Sequence, residues 1–224
     1  MKLLVMLLLA NAIFSSIDVL STYVTALLLK VPVREINIFR LPILKFGREP
    51  AFTLGLIPIG SNVCFYEPLD RSDRFDREYL AYENIAIIYK LILNLSGFVF
   101  IFCLCSVFLS PTTAIGEIIQ GFISFWRGVF DRTYGEQAIA STKQLIANNN
   151  LAVVLAFFNT KFIALNLMPI APFRGFNLCL ILLSAVFRQK ISPNSFVFNT
   201  SLVIVMISVA KWFIYLIDSL YTWY

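Results

Sequence analysis

Histidine is absent from this chain of 224 residues. Without an imidazole, the chain lacks a proton shuttle near neutral pH, a Ser/His or Cys/His catalytic pair and the commonest metal ligand. Charged residues are also scarce, at 14% of the chain, against about 25% in soluble domains. These shortages exclude a soluble enzyme, a disordered segment and a nucleic-acid-binding protein.

Cysteine is also scarce. The four thiols form no C-x-x-C pair, so neither a disulfide framework nor a zinc knuckle is indicated; they are Cys64, Cys103, Cys105 and Cys179. We expect all four to act as small apolar side chains. With histidine missing as well, the sequence predicts no metal and no other cofactor.

Apolar residues are abundant, at 59% of the chain, and the mean hydropathy is +0.81. This composition is typical of a protein embedded in a lipid bilayer. We predict an α-helical polytopic membrane protein that forms a single membrane domain over residues 1–224. About four transmembrane helices are expected, over residues 3–29, 84–109, 151–168 continuing to 187, and 196–215.

The third span is expected to be broken. Pro169 and Pro172 exclude a regular helix at that point. The apolar run 176–187 is too short to cross a bilayer alone, so we read it as the continuation of the interrupted span.

The first span carries a polar stripe. Asn11, Ser15, Asp18, Thr22 and Thr25 are spaced by three or four residues, so they share one helical face. A carboxylate near mid-bilayer costs about 2.5–3.5 kcal/mol unless it has a partner or a hydrated cavity. We therefore expect this face to lie against other helices or a cavity.

Lysine and arginine set the expected orientation. Residues 30–83 contain eight of them, and Arg174, Arg188 and Lys190 follow the third span. The positive-inside rule places both stretches on the cytosolic side and both termini on the non-cytosolic side. The first span also begins like a signal peptide, but its apolar run continues beyond the potential cleavage triplet at 10–12, which favours a retained helix.

Four further charged side chains lie towards the ends of the spans. We expect them to snorkel to the membrane interface; they are Lys90, Lys161, Lys211 and Asp218.

The segments between the spans have their own patterns. Residues 36–65 alternate helix breakers with β-prone runs such as Phe52–Leu54, which predicts a membrane-associated β-hairpin. The connection 110–150 is amphipathic, and we expect a helix over Ile115–Phe130 that lies on the membrane surface.

The order of these parts resembles the site-two protease family of intramembrane zinc metalloproteases. The segment Asn166–Phe176 is similar to the family's N-x-x-P-x-x-x-L-D-G-G motif, with Asn166, Pro169 and Gly175 kept. The run Leu56–Gly60, LIPIG, looks like the L-I-P-L-G element of the family's hairpin. The resemblance covers nearly the whole chain except residues 110–141, where many members carry a PDZ module that this chain lacks.

The zinc chemistry of that family is missing. In the family, two histidines of H-E-x-x-H and the aspartate of L-D-G-G bind zinc, and the glutamate is the general base. Those positions fall on Asp18, Val19, Thr22 and Arg174. Valine cannot move a proton, threonine is a poor ligand and a guanidinium repels a cation. The resemblance therefore implies a pseudoenzyme, in which we expect Asp18 and Arg174 to pair in place of the metal.

The leading interpretation is a catalytically inactive, site-two-protease-like protein that binds or scaffolds transmembrane segments of other proteins. In the family, the hairpin offers an edge to an extended substrate. The candidate partner-binding residues are Leu56, Ile57, Pro58, Gly60, Asn166 and Pro169.

Three alternatives remain beside this interpretation. The first is a structural subunit of a larger membrane complex. The second is a small transporter with Asp18 and Lys90 as a charge relay, and the third is a protease with residual activity. In each case the lipid bilayer is an expected partner and nucleic acid is not.

Overall fold

The computed structural model describes residues 2–57, 60–66, 82, 84–189, 191 and 194–221. This part of the chain forms seven helices and four strands. The helices are α1 Lys2–Leu28, α2 Ile87–Leu109, α3 Pro111–Phe130, α4 Arg132–Asn148, α5 Leu151–Asn166, α6 Arg174–Phe187 and α7 Ser195–Tyr221. The strands are β1 Val33–Ile38, β2 Arg40–Phe46, β3 Ala51–Ile57 and β4 Asn62–Phe65.

Three helices are long and apolar enough to cross a membrane: α1, α2 and the Ser195–Ser219 part of α7. The prediction of a largely helical chain is confirmed, and three of its helices are candidate membrane spans. The third predicted span is interrupted as expected, because α5 ends at Asn166 and α6 begins at Arg174. Each of these two helices is apolar but short. The total of four spans therefore stays a prediction.

The chain divides into two compact units. One contains Met1–Ala10 with Phe102–Tyr224, and the other contains Asn11–Ile101. The single membrane domain over residues 1–224 stays a prediction.

In the unit Asn11–Ile101, the predicted β-hairpin is part of a larger sheet. Strands β2 and β3 form the antiparallel hairpin, and β1 and β4 extend it in the order β2-β3-β1-β4. β1 runs parallel to β3 and antiparallel to β4. The chain leaves β1 at Phe39, where φ is 71°, and β2 passes to the outer edge.

One face of this sheet is apolar and packs against α1 and α2. Ile36 is fully buried in a cluster with Val19 of α1 and Leu93 of α2. Phe52 belongs to the same face, and its ring meets the Tyr23 ring edge-on at 5.8 Å between centroids. The sheet is therefore fixed to both helices through its apolar side.

The unit that contains α3 to α7 includes the connection 110–150. The helix expected over Ile115–Phe130 is present as α3, and its Phe125 and Val129 are buried with Met168. Its location on the membrane surface stays a prediction. A second helix, α4, follows it without having been predicted. Asp131 ends α3 and caps α4, accepting a hydrogen bond from the Tyr134 N–H at 3.1 Å.

Two of the lysines expected to snorkel have partners on other helices. The Lys161 ammonium lies 2.6 Å from a carboxylate oxygen of Glu117, and the Lys211 ammonium donates to the Val129 carbonyl at 2.9 Å. Each cation therefore links two helices, and its position relative to the membrane interface stays a prediction.

Candidate functional site

The polar face of α1 is turned inward, as its spacing predicted. Ser15, Asp18 and Thr22 are buried, and Asn11 and Thr25 are half-buried. The Thr22 hydroxyl donates to the Asp18 backbone carbonyl at 2.8 Å, one turn earlier in the helix. This hydroxyl is thus committed to its own backbone.

Asp18 lies where α1 crosses α2. The crossing is close because Gly97 has no side chain: a Cβ atom there would overlap Oδ1 of Asp18 and would lie 3.0 Å from its Cα. Next to this point, the Phe14 and Phe98 rings lie 6.4 Å apart between centroids. Val19, which the resemblance aligns with a catalytic glutamate, is fully buried among apolar side chains. Asp18 and Val19 thus belong to a helix-packing surface.

The break between α5 and α6 is the second part of the predicted site. Asn166, the last residue of α5, donates its side-chain amide to the Phe162 carbonyl at 3.0 Å. Met168 is fully buried, whereas Pro169 is exposed. Gly175 is buried and packs directly against the carbonyl groups of residues 167 and 168, so the chain folds back tightly here.

The structure places the residues that the resemblance aligns with zinc ligands and a catalytic base in separate units. Asp18, Val19 and Thr22 lie on α1 in the unit Asn11–Ile101, and Arg174 begins α6 in the other unit, where it is half-buried. The pairing of Asp18 with Arg174 stays a prediction. Among the described residues, no three His, Cys, Asp or Glu side chains are grouped so that they would hold a metal ion.

The predicted hairpin residues lie beside an exposed strand that the sequence reasoning missed. Leu56 and Ile57 are exposed at the end of β3. Gly60 is also exposed, has φ of 71° and lies close to the Arg40 side chain. Pro58 lies outside the described residues.

The exposed strand itself is β2. All seven of its residues are exposed, and β3 is its one neighbour in the described sheet. A register shift between Pro42 and Leu44 leaves Ile43 without a cross-strand partner. Proline and lysine in one short strand are typical of a sheet edge, so the sequence RLPILKF did carry a signal for this position.

Neither a scan against protein-family models nor a search of curated proteins gives a match for this chain. The resemblance to site-two proteases is therefore a hypothesis that depends on residues 56–60 and 166–176. The geometry of β2 and of the α1–α2 crossing does not depend on it.

Cys64 lies on the polar face of the sheet, opposite the helices. The side-chain amides of Asn62 and Asn37 approach its sulfur at 3.3 Å and 3.7 Å. Burial raises the pKa of the Cys64 thiol, and the nearby Glu35 carboxylate raises it further. The thiol therefore stays protonated to higher pH than an ordinary cysteine.

We expect a variant whose only cysteine is Cys64 to react slowly with a water-soluble maleimide at neutral pH. Its rate should reach half-maximum at a higher pH than that of glutathione, because the reactive thiolate forms later. Glu35→Gln should lower this midpoint, since it removes a negative charge that opposes ionisation. A midpoint at or below that of glutathione would show that the sheet does not enclose the thiol.

Proposed function

We propose that this chain is a non-catalytic membrane protein that holds an extended segment of a partner transmembrane protein at the outer edge of β2. The observation that carries this proposal is a seven-residue strand, exposed along its whole length, on the edge of a sheet that is packed on two candidate membrane-spanning helices. A partner strand added there gains backbone hydrogen bonds for affinity and side-chain contacts for specificity.

The position of β2 favours a partner that comes from the membrane. Cross-strand pairing puts Phe46 opposite Phe52 and Leu44 opposite Leu54. The side chains of Phe46 and Leu44 therefore belong to the apolar face of the sheet. That face is covered by α1 and α2 at Ile36 but is exposed at Leu44 and Phe46. An apolar partner segment fits this uncovered part.

The residues at the former zinc positions support binding without cleavage. Val19 cannot act as a base, Thr22 is a poor metal ligand, and the whole chain lacks histidine. We propose that the family's fold for holding a substrate is retained while its chemistry is lost. Asn166 and Pro169 stay candidate contacts for the same partner.

The finer topology is part of this proposal. We propose that α5 and α6 form one interrupted span, which gives four spans with α1, α2 and α7. Lysine and arginine counts then support a cytosolic location for residues 30–83 and non-cytosolic termini.

A matched pair of substitutions at Ile43 tests the edge of β2. Ile43→Pro removes a backbone N–H at the point where β2 shifts register against β3, whereas Ile43→Ala shortens the side chain and keeps that N–H. With a photocrosslinking amino acid at Leu44 in native membranes, we expect Ile43→Pro to lower the yield of partner adduct about tenfold, as the loss of a backbone hydrogen bond implies.

Ile43→Ala should keep most of this yield. Equal losses in both variants would show recognition through the side chain alone, and adducts with lipid only would contradict the proposal. Co-purification of one protein at fixed stoichiometry, unaffected by either variant, would favour the structural-subunit alternative instead.

A further inference from the structure

Helix α3 does not qualify as a membrane span by its sequence, because Glu117, Gln120 and Arg127 interrupt its apolar residues. The contacts of α3 with its neighbours, however, place it beside another apolar helix. Glu117 contacts Lys161, a Cβ atom on Gly121 would lie 2.8 Å from the Ala164 Cβ, and further along Phe125 packs with Met168. Positions 117, 121 and 125 of α3 thus contact positions 161, 164 and 168, which follow one another in the same direction along α5 and just beyond it. The two helices therefore lie side by side and parallel.

The charges between these helices neutralise each other. Lys161 is the one charged residue of α5, and Glu117 is the one acid of α3. Their 2.6 Å contact is about three-quarters shielded from solvent, with side-chain exposures of 22% and 23%, and Lys161 also donates to the Glu117 carbonyl at 2.9 Å. An unpaired charge at membrane depth is costly, whereas a paired one is tolerated. Glu117 is thus compatible with a bilayer once Lys161 is beside it.

A candidate spanning helix also contacts α3. The Trp212 indole N–H donates to the Phe125 carbonyl at 3.2 Å, and Lys211 binds the Val129 carbonyl in the last turn of α3. Both donors lie inside Ser195–Ser219, the part of α7 that is long and apolar enough to cross a membrane. The C-terminal end of α3 is therefore level with a part of α7 that belongs to its candidate span.

The side of α3 that faces away from α5 is apolar. Its large exposed side chains recur at helical spacing, at Ile115, Ile119, Ile123 and Phe130. Such a stripe is unfavourable in water. Because α3 lies beside a candidate span, lipid acyl chains are the surroundings that fit it.

We propose that α3 is embedded in the bilayer beside α5 and α7, and that its outward stripe of Ile115, Ile119, Ile123 and Phe130 contacts lipid acyl chains. This inference is independent of the function proposed for β2. It makes α3 a membrane helix whose one acidic residue, Glu117, is neutralised by a lysine on another helix.

Nitroxide accessibility in the full chain tests this placement. The four native cysteines are replaced by alanine, and a spin label is attached in turn at residues 115, 119, 123 and 130 in phosphatidylcholine vesicles. We expect higher collision rates with oxygen than with a water-soluble nickel chelate at each position, and a depth that changes steadily along the helix. A label at Gln120, on the polar side of α3, serves as the control and should show less oxygen contact.

Each other result overturns the proposal. Equal depths at all four positions would show a helix lying flat on the membrane surface. Preferential nickel contact would show water, and low contact with both reagents would show a protein partner on the stripe.

Variants of the ion pair give a second, independent readout. Lys161→Met leaves Glu117 unpaired in the membrane, so its melting temperature in vesicles should fall by several degrees. Adding Glu117→Gln should recover much of that loss, because no uncompensated charge remains. If the single and double variants melt together, the pair faces water and α3 is not embedded.

Discussion

Replacing Gly175 by alanine is expected to destabilise the break between α5 and α6 strongly. A Cβ atom at this position would overlap the carbonyl group of Leu167 and the carbonyl oxygen of Met168. Backbone atoms cannot rotate away as a side chain can. Overpacking costs about 1–3 kcal/mol, and we expect the upper end of that range here. Thermal unfolding in detergent micelles, followed by tryptophan fluorescence, measures the loss.

Gly116 provides the matched control. It lies inside α3, and apart from the neighbouring backbone of its own helix nothing lies within 4 Å of the position that a Cβ would take. Alanine is favoured over glycine in a helix by about 1 kcal/mol, so Gly116→Ala should melt at or above the temperature of the unmodified protein. Equal melting of the Gly175→Ala variant and the unmodified protein would contradict the packing described for the break.

The second large effect is expected at the crossing of α1 and α2. Gly97→Ala would push a methyl group into the Asp18 carboxylate, so we expect a loss of about 1–3 kcal/mol from overpacking. Asp18→Ala in the same chain removes the overlapping Oδ1 and Cγ atoms and should restore part of this loss. Unfolding of the two single variants and the double variant forms a complete cycle.

The interaction energy between the Gly97 and Asp18 substitutions tests whether these residues are in contact. Residues in direct contact show interaction energies of about 0.5–3 kcal/mol, whereas distant sites are additive. We expect the double variant to be more stable than the sum of the single effects implies. Strict additivity would mean that Asp18 does not lie against Gly97, and the account of the α1 polar face would then be wrong.

Features that depend on neighbouring residues were predictable from the sequence. Long apolar runs predicted α1, α2 and α7, and Pro169 with Pro172 predicted the break, because both signals are local. The inward polar face of α1 followed from the spacing of Ser15, Asp18 and Thr22, since helical periodicity places them together.

Features that depend on distant residues were not predictable. The parallel pairing of β1 with β3 places a third strand, β2, at the outer edge, and only the folded sheet shows which strand is left exposed. Glu117 was not identified from the sequence, and Lys161 was assigned to the interface. The ion pair of Glu117 with Lys161 joins residues 44 positions apart in the chain, so no local pattern indicates it.

Helix α4 was missed for a different reason. It is mainly polar, and just two of its residues, Gly135 and Ile139, are buried. Asp131 caps its start, and it contacts α7 through Lys143, which donates to the Ser219 carbonyl at 2.7 Å, and through the exposed Arg132–Asp218 ion pair at 3.1 Å. Hydrophobic periodicity, which identifies the other helices, is weak in such a segment.

The central claim is that this chain holds a partner's segment at β2 without cutting it. The most direct test is the mass of the partner released from the photocrosslinked adduct at Leu44. We expect a full-length membrane protein, joined through an apolar segment. A partner recovered as a fragment cut within its transmembrane segment would contradict the claim.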